Sequence, residues 1–163
     1  MAGGEIEIAW CRDPGMADAI ARFFVENADP TYISHGEIMF GRAVALGQWA
    51  DDLFEQVARE AREAIDDPAE AFAVARLDGE LVGLVEIHFD DRYHFAVIND
   101  LMISRTARGA GLGKRFLGWV EEQCRERGIR RLFLESGIGN ARAHEFFERE
   151  GFVKTAVTMM REL

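Results

Sequence analysis

Residues 108–115 read Arg108-Gly109-Ala110-Gly111-Leu112-Gly113-Lys114-Arg115, and how they are read decides the fold. Glycine alternates with other residues, and cations stand on both sides. A strand-like apolar stretch, residues 95–103, precedes them. An amphipathic stretch at residues 113–127 follows, with Leu117, Val120 and Cys124 spaced to share one helical face. The glycines therefore end a strand and open a helix. At such a junction backbone N–H groups point outward without helical partners, and the helix dipole favours negative charge. Glycine lets the backbone approach an anion with no side chain between. The placement points to a phosphate-bearing ligand.

Known phosphate loops narrow the choice. A Walker A loop fails, because Arg108 stands where its first glycine belongs and Arg115 replaces its magnesium-binding hydroxyl. A dinucleotide fingerprint fails as well: after Gly111-Leu112-Gly113 the third glycine is replaced by Phe116. A glycine-rich turn without a ligand stays open. The pattern that fits is Arg-x-x-Gly-x-Gly, at Arg108, Gly111 and Gly113.

Outward from this loop, residues 71–77 and 80–89 read as two strands joined at Asp78-Gly79, a strong hairpin signal. Residues 5–10 alternate as a strand, with Ile6 and Ile8 on one face. Asp13 is placed to cap a helix running to about Asn27. Residues 28–37 are rich in breakers and read as an irregular loop. A second helix is expected over residues 48–65, ending at Asp66-Asp67-Pro68. Gly128 ends the helix after the glycine loop. Residues 132–134 read as a short buried strand, Asn140 as the cap of a last helix, and residues 152–161 as a final strand. Strands dominate the middle and two strand–helix units close the chain, so the expected class is α+β, a mixed α/β sheet in one domain over residues 1–163.

The chain has 163 residues and a formal net charge of −10, which disfavours general binding to nucleic acid and to anionic membranes. No apolar run is long enough to span a bilayer, and residues 1–5 do not read as a signal peptide. Cys11 and Cys124 fit neither a zinc spacing nor CxxC, so no metal site is expected and the setting reads as cytoplasmic.

A second block adds to the loop: Leu132-Phe133-Leu134-Glu135, then Asn140-Ala-Arg-Ala143-His144-Glu-Phe146-Phe147-Glu-Arg-Glu-Gly151-Phe152. In kind, order and separation the two blocks resemble those of the GCN5-related N-acetyltransferase (GNAT) family, over about residues 71–163. The resemblance implies a central, mostly antiparallel sheet with flanking helices and a splayed strand pair. It implies an acetyl-CoA-binding core at residues 71–163 and acceptor-side elements at residues 1–70. Acetyl-CoA would be the co-substrate, and an amine would attack its thioester directly in a ternary complex. The acceptor expected from the acidic composition is a small cationic amine. A protein N-terminus or lysine, and a non-catalytic acyl-CoA-binding module, remain as alternatives, and a homodimer is compatible.

Residue by residue, the resemblance puts the main chain of Leu101, Met102 and Ile103 along the pantetheine arm, with one N–H as an oxyanion stabiliser. Arg108, Gly109, Ala110, Gly111, Leu112, Gly113 and Lys114 would form the pyrophosphate cradle. Asn140 would reach the cofactor. The family's frequent tyrosine near the sulfur falls at Phe147, which has no proton to give. Glu135 and Asp100 are the candidate general bases. Tyr32, His35 and Glu37 lie where the family forms its acceptor wall. Glu86 and His88 share one face of their strand and could line the same pocket.

Overall fold

The computed structural model describes residues 4–163, so residues 1–3 of the N-terminal segment lie outside the described residues. In chain order the elements are β1 (Ile6–Cys11), α1 (Ala17–Asn27), α2 (His35–Met39), β2 (Ala43–Ala45), β3 (Gln48–Trp49), α3 (Leu53–Asp66), β4 (Glu70–Leu77) and β5 (Glu80–Asp90). They continue with β6 (Phe95–Ile103), α4 (Leu112–Glu126), β7 (Arg131–Leu134) and α5 (Ala141–Arg149). The chain forms two compact units: residues 4–28 with Phe54–Leu134, and Asp29–Leu53 with Glu135–Leu163.

The first unit holds a five-stranded sheet in the order β1-β4-β5-β6-β7. All neighbours are antiparallel except β6 and β7, which are parallel and joined through α4. The expected α+β class and mixed sheet are thus observed. The β4–β5 hairpin turns at Asp78-Gly79, both in the left-handed region (φ 50° and 85°), as a tight primed turn requires. The core lies around this sheet: Phe24, Phe72, Phe116, Leu84, Ile87 and Ile98 are among its largest fully buried side chains. Helix α4 is seated on β1, where Trp10 Nε1 donates to Gln123 Oε1 at 2.9 Å and the Trp10 and Trp119 rings meet at 4.8 Å.

Strand β6 is irregular in two ways. Glu86 faces Asp100 and Ile87 faces Ile98, so Asn99 is an extra, bulged residue. On the other side β7 pairs only with residues 95–98. Beyond Ile98 no strand among the described residues pairs with that edge, and the two parallel strands part.

The second unit is smaller. A turn at Pro30–Tyr32 is capped by Asp29, whose Oδ1 accepts from Thr31 N at 3.0 Å. Helix α2 comes next, then the β2–β3 hairpin. Helix α5 starts at Asn140, whose side chain accepts from Ala143 N at 3.3 Å, as expected of a cap.

Several expectations need correction. Asp13 caps a short 3-10 turn, Pro14–Met16, and α1 begins only at Ala17. The region read as an irregular loop holds the start of α2, because Ser34 and Glu37 form a capping box. The helix expected from residue 48 begins at Leu53, since Gln48 and Trp49 pair back onto residues 43–45. Strand β7 is at the sheet edge and is not buried; Phe133 is 42% exposed. Residues 152–161 form no strand: their apolar alternation finds no sheet neighbour among the described residues, and Val153, Val157 and Met159 are exposed.

Candidate active site

In the first unit, β6 runs into the glycine loop and then α4. Gly109 and Gly111 both have positive φ (86° and 77°), and a Cβ at either would meet no atom within 4 Å. Glycine is therefore required by backbone conformation, not by crowding, and the space above the loop is open. Gly111 is the N-cap of α4, and no side chain caps the helix there. The first-turn N–H groups are satisfied by no capping side chain, and this is the arrangement that receives an anion. Arg108 turns back, its Nε donating to Ile103 O at 3.1 Å, so it fastens the loop to the end of β6. Ala110 and Lys114 are exposed, and Leu112 is buried beneath the loop.

Directly upstream, Leu101, Met102 and Ile103 occupy the stretch of β6 that β7 leaves unpaired. Met102 is buried, so its side chain serves the core while main-chain groups of the stretch face the open edge. Asp100 stands opposite Glu86 across the β5–β6 ladder, just past the bulge, and Glu86 is buried. His88 lies two residues along β5 and is committed to a neighbour: its Nδ1 meets Glu70 Oε1 at 2.5 Å. Burial pushes the Cys124 thiol up to about 11, with Glu121 adding to the effect, so this cysteine is no thiolate nucleophile near neutral pH.

In the second unit the turn after β7 comes back to the segment around α2. His35 Nε2 lies 3.4 Å from Glu135 Oε1, with the side chains 30% and 53% exposed. Two residues on, a Cβ at Gly137 would lie 2.5 Å from both Thr31 O and Ile33 O, so only glycine lets these backbones meet. Glu37 Oε2 accepts from Ser34 N at 2.6 Å and Ser34 Oγ at 2.7 Å. Glu37 thus holds the start of α2. Tyr32 is half-buried in the turn before it. Phe147 packs edge-on against Phe146 and Phe152, at 5.1 and 5.5 Å between ring centroids.

The structure thus gathers Leu101, Met102, Ile103 and residues 108–114 into one surface, and His35, Glu37, Glu135 and Asn140 into one unit. Two contributors were missed at the level of sequence. Ser34 was legible, since Ser-x-x-Glu is a helix-start signature. Gly137 was not, because nothing local tells that the backbone of a distant segment presses against it. Among the described residues no group of three or more His, Cys, Asp or Glu could hold a metal ion, and no helix is long and apolar enough to cross a membrane.

Comparison with known proteins bears on this geometry. The family model described as Acetyltransferase (GNAT) family matches residues 38–152. An aminoalkylphosphonate N-acetyltransferase of Salmonella typhimurium is 32% identical over 90 residues, 53% of this chain and 58% of that protein. An IAA acetyltransferase of Azospirillum brasilense is 30% identical over 90 residues, 55% of this chain and 59% of its own length. The chain therefore matches less than two thirds of the length of these curated relatives. Among solved structures, a transcriptional regulator from Bacillus halodurans superposes with a TM-score of 0.71 at 20% identity, over 98% of this chain and 100% of that one. An aminoglycoside N-acetyltransferase in complex with CoA superposes with a TM-score of 0.70 at 13% identity, over 99% of this chain and 96% of that one. At these identities the superpositions speak for the fold.

Proposed function

The chain belongs to the acetyltransferase (GNAT) family, and from that premise we propose that it transfers the acetyl group of acetyl-CoA to a primary amine, by direct attack in a ternary complex. The observation that carries the reading is the continuity of the open β6 edge with the left-handed glycine loop at the start of α4. A ligand that needs both is long, has a polar arm that can hydrogen-bond to a strand edge, and ends in a pyrophosphate. Acetyl-CoA fits that description.

In this reading the N–H groups of residues 109–114 hold the pyrophosphate, with Arg108 bracing the loop. The main chain of Leu101, Met102 and Ile103 holds the pantetheine arm, and one N–H meets the thioester oxygen as it gains charge. Asn140 and Phe147 are the proposed cofactor contacts of the second unit. The amine nitrogen attacks the carbonyl carbon, the C–S bond breaks, and CoA leaves as thiolate. Asp100 and Glu135 are the carboxylates proposed to take the proton that the ammonium loses. Tyr32, His35, Glu37, Glu86 and His88 are proposed for the acceptor side, within a single catalytic domain.

The acceptor is proposed to be a small amine. Two similar proteins are named for such acceptors, an aminoalkylphosphonate and an aminoglycoside. The chain's own net charge of −10 favours a cationic one by steering. Phe147 gives a specific reason to keep a second reading, a module that binds acyl-CoA without turnover. Amide formation from acetyl-CoA with spermidine, 2-aminoethylphosphonate and kanamycin separates the two. The enzyme reading expects amide from at least one probe in the unaltered protein. Amide only after Phe147→Tyr would favour the binding module.

A further inference from the structure

We propose that Asn27 is a positioning residue for the acyl donor: its side chain fixes the joint between the strand assigned to the pantetheine arm and the loop assigned to the pyrophosphate. This rests on the acetyltransferase reading. Asn27 is the last residue of α1 and a buried polar side chain, 7% exposed. Both ends of its carboxamide are engaged. Nδ2 donates to Phe23 O at 2.8 Å, one turn back on α1, and Oδ1 accepts from Arg105 N at 3.0 Å. Arg105 stands 78 residues further along the chain. It opens the short 3-10 turn, Arg105–Ala107, that separates Ile103 from Arg108. A carboxamide suits this place because it carries a donor for the carbonyl and an acceptor for the N–H, without a charge to bury.

The joint matters because the donor has to span it. Leu101, Met102 and Ile103 lie before the turn and residues 109–114 after it, so residues 104–108 set how the two donor-binding stretches face each other. Ser104 N donates to Val82 O at 2.9 Å and holds the near end to β5. Arg108 Nε donates to Ile103 O at 3.1 Å and closes the far end back onto β6. Asn27 ties the middle to α1. Beyond Arg108, Gly109 and Gly111 are left-handed with open space around them, so the loop has little of its own to resist movement. Its aim depends on the joint. Ser104 precedes the turn, yet its side chain makes no capping bond; its hydroxyl lies 3.2 Å from Thr106 Oγ1. The acceptor for the Arg105 N–H therefore comes from a distant element. Arg105 is exposed, so water can replace a lost acceptor there. Losing the Asn27 oxygen should then cost the loop its aim more than it costs the fold its stability.

The test compares three variants by calorimetry with acetyl-CoA and by amide formation with spermidine, 2-aminoethylphosphonate or kanamycin. Asn27→Leu keeps the volume and removes the acceptor. Its affinity for acetyl-CoA should fall about tenfold, and KM for acetyl-CoA should rise to match, while KM for the amine stays within about twofold. Asn27→Asp keeps an oxygen facing Arg105 N and should recover most of the affinity. Ile20→Val, at a fully buried position of the same helix, is the control for stability alone. Its Tm should fall, and its acetyl-CoA affinity should stay within about twofold. Unchanged affinity in Asn27→Leu, equal affinities in Asn27→Leu and Asn27→Asp, or an equal loss in Ile20→Val overturns the assignment and leaves the acetyltransferase reading standing. Failure of the unaltered protein to bind acetyl-CoA overturns that reading and the assignment with it.

Discussion

Gly111 has φ 77° and open space where a Cβ would go. An alanine there must adopt a left-handed backbone, which costs about 1–2 kcal/mol, and places a methyl group in the volume assigned to the pyrophosphate. Gly111→Ala should therefore lower stability modestly and weaken acetyl-CoA binding by about tenfold or more, by calorimetry. A stability loss with unaltered affinity would remove the loop from the donor site. Gly137 is the opposite case, a glycine demanded by close approach rather than by φ. Sequence made the first kind legible, since strand, glycines and helix are adjacent. It hid the second kind, since the crowding atoms belong to residues 31 and 33. His35 and Glu135 were each legible as site candidates, but not as neighbours.

Secondary structure was read best where local and tertiary signals agree. Strands β4, β5 and β6 and helix α4 begin and end within a residue or so of expectation, because alternation, the Asp-Gly turn and terminal glycines all point the same way. Short segments were harder: α2 has five residues and β3 two, too few for a period to show. The tail shows that alternation alone does not make a strand, which also needs an edge to pair with. One link between elements is testable by pH. Arg127, just past α4, donates Nε to Asp91 Oδ1 and Nη2 to Asp91 Oδ2, each at 2.8 Å, and lies over the Phe89 ring. These hydrogen bonds hold the Asp91 carboxyl below its ordinary value of 3.8, against a smaller opposing effect of desolvation. A carboxyl lowered on folding stabilises fully above its unfolded pKa, and the contribution is lost as pH falls through the folded one. The difference in Tm between the unaltered protein and Arg127→Ala should thus be constant from about pH 5 to 7 and shrink below about pH 4. A difference that does not change with pH would assign the role of Arg127 to its packing on Phe89 and its hydrogen bond to Pro68 O at 3.1 Å.

At the scale of the molecule, the sheet unit supplies everything proposed for the acyl donor except Asn140 and Phe147, and the smaller unit carries the His35–Glu135 pair. The family model covers residues 38–152, which include Glu86 and His88, while Tyr32, His35 and Glu37, also proposed for the acceptor side, lie before it. The residues proposed for the donor stood out in the sequence because they lie in or just before two blocks that resemble the family's, whereas Tyr32, His35 and Glu37 lie outside both blocks.

The central claim is that the loop at residues 109–114 holds a pantetheine-bearing nucleotide. Thermal unfolding with acetyl-CoA, CoA, ATP and NAD at one concentration tests it most directly, since a ligand that binds only the folded state raises Tm by mass action. The account predicts clear shifts with acetyl-CoA and CoA and little with ATP or NAD. Equal shifts with all four, or none with any, would contradict it.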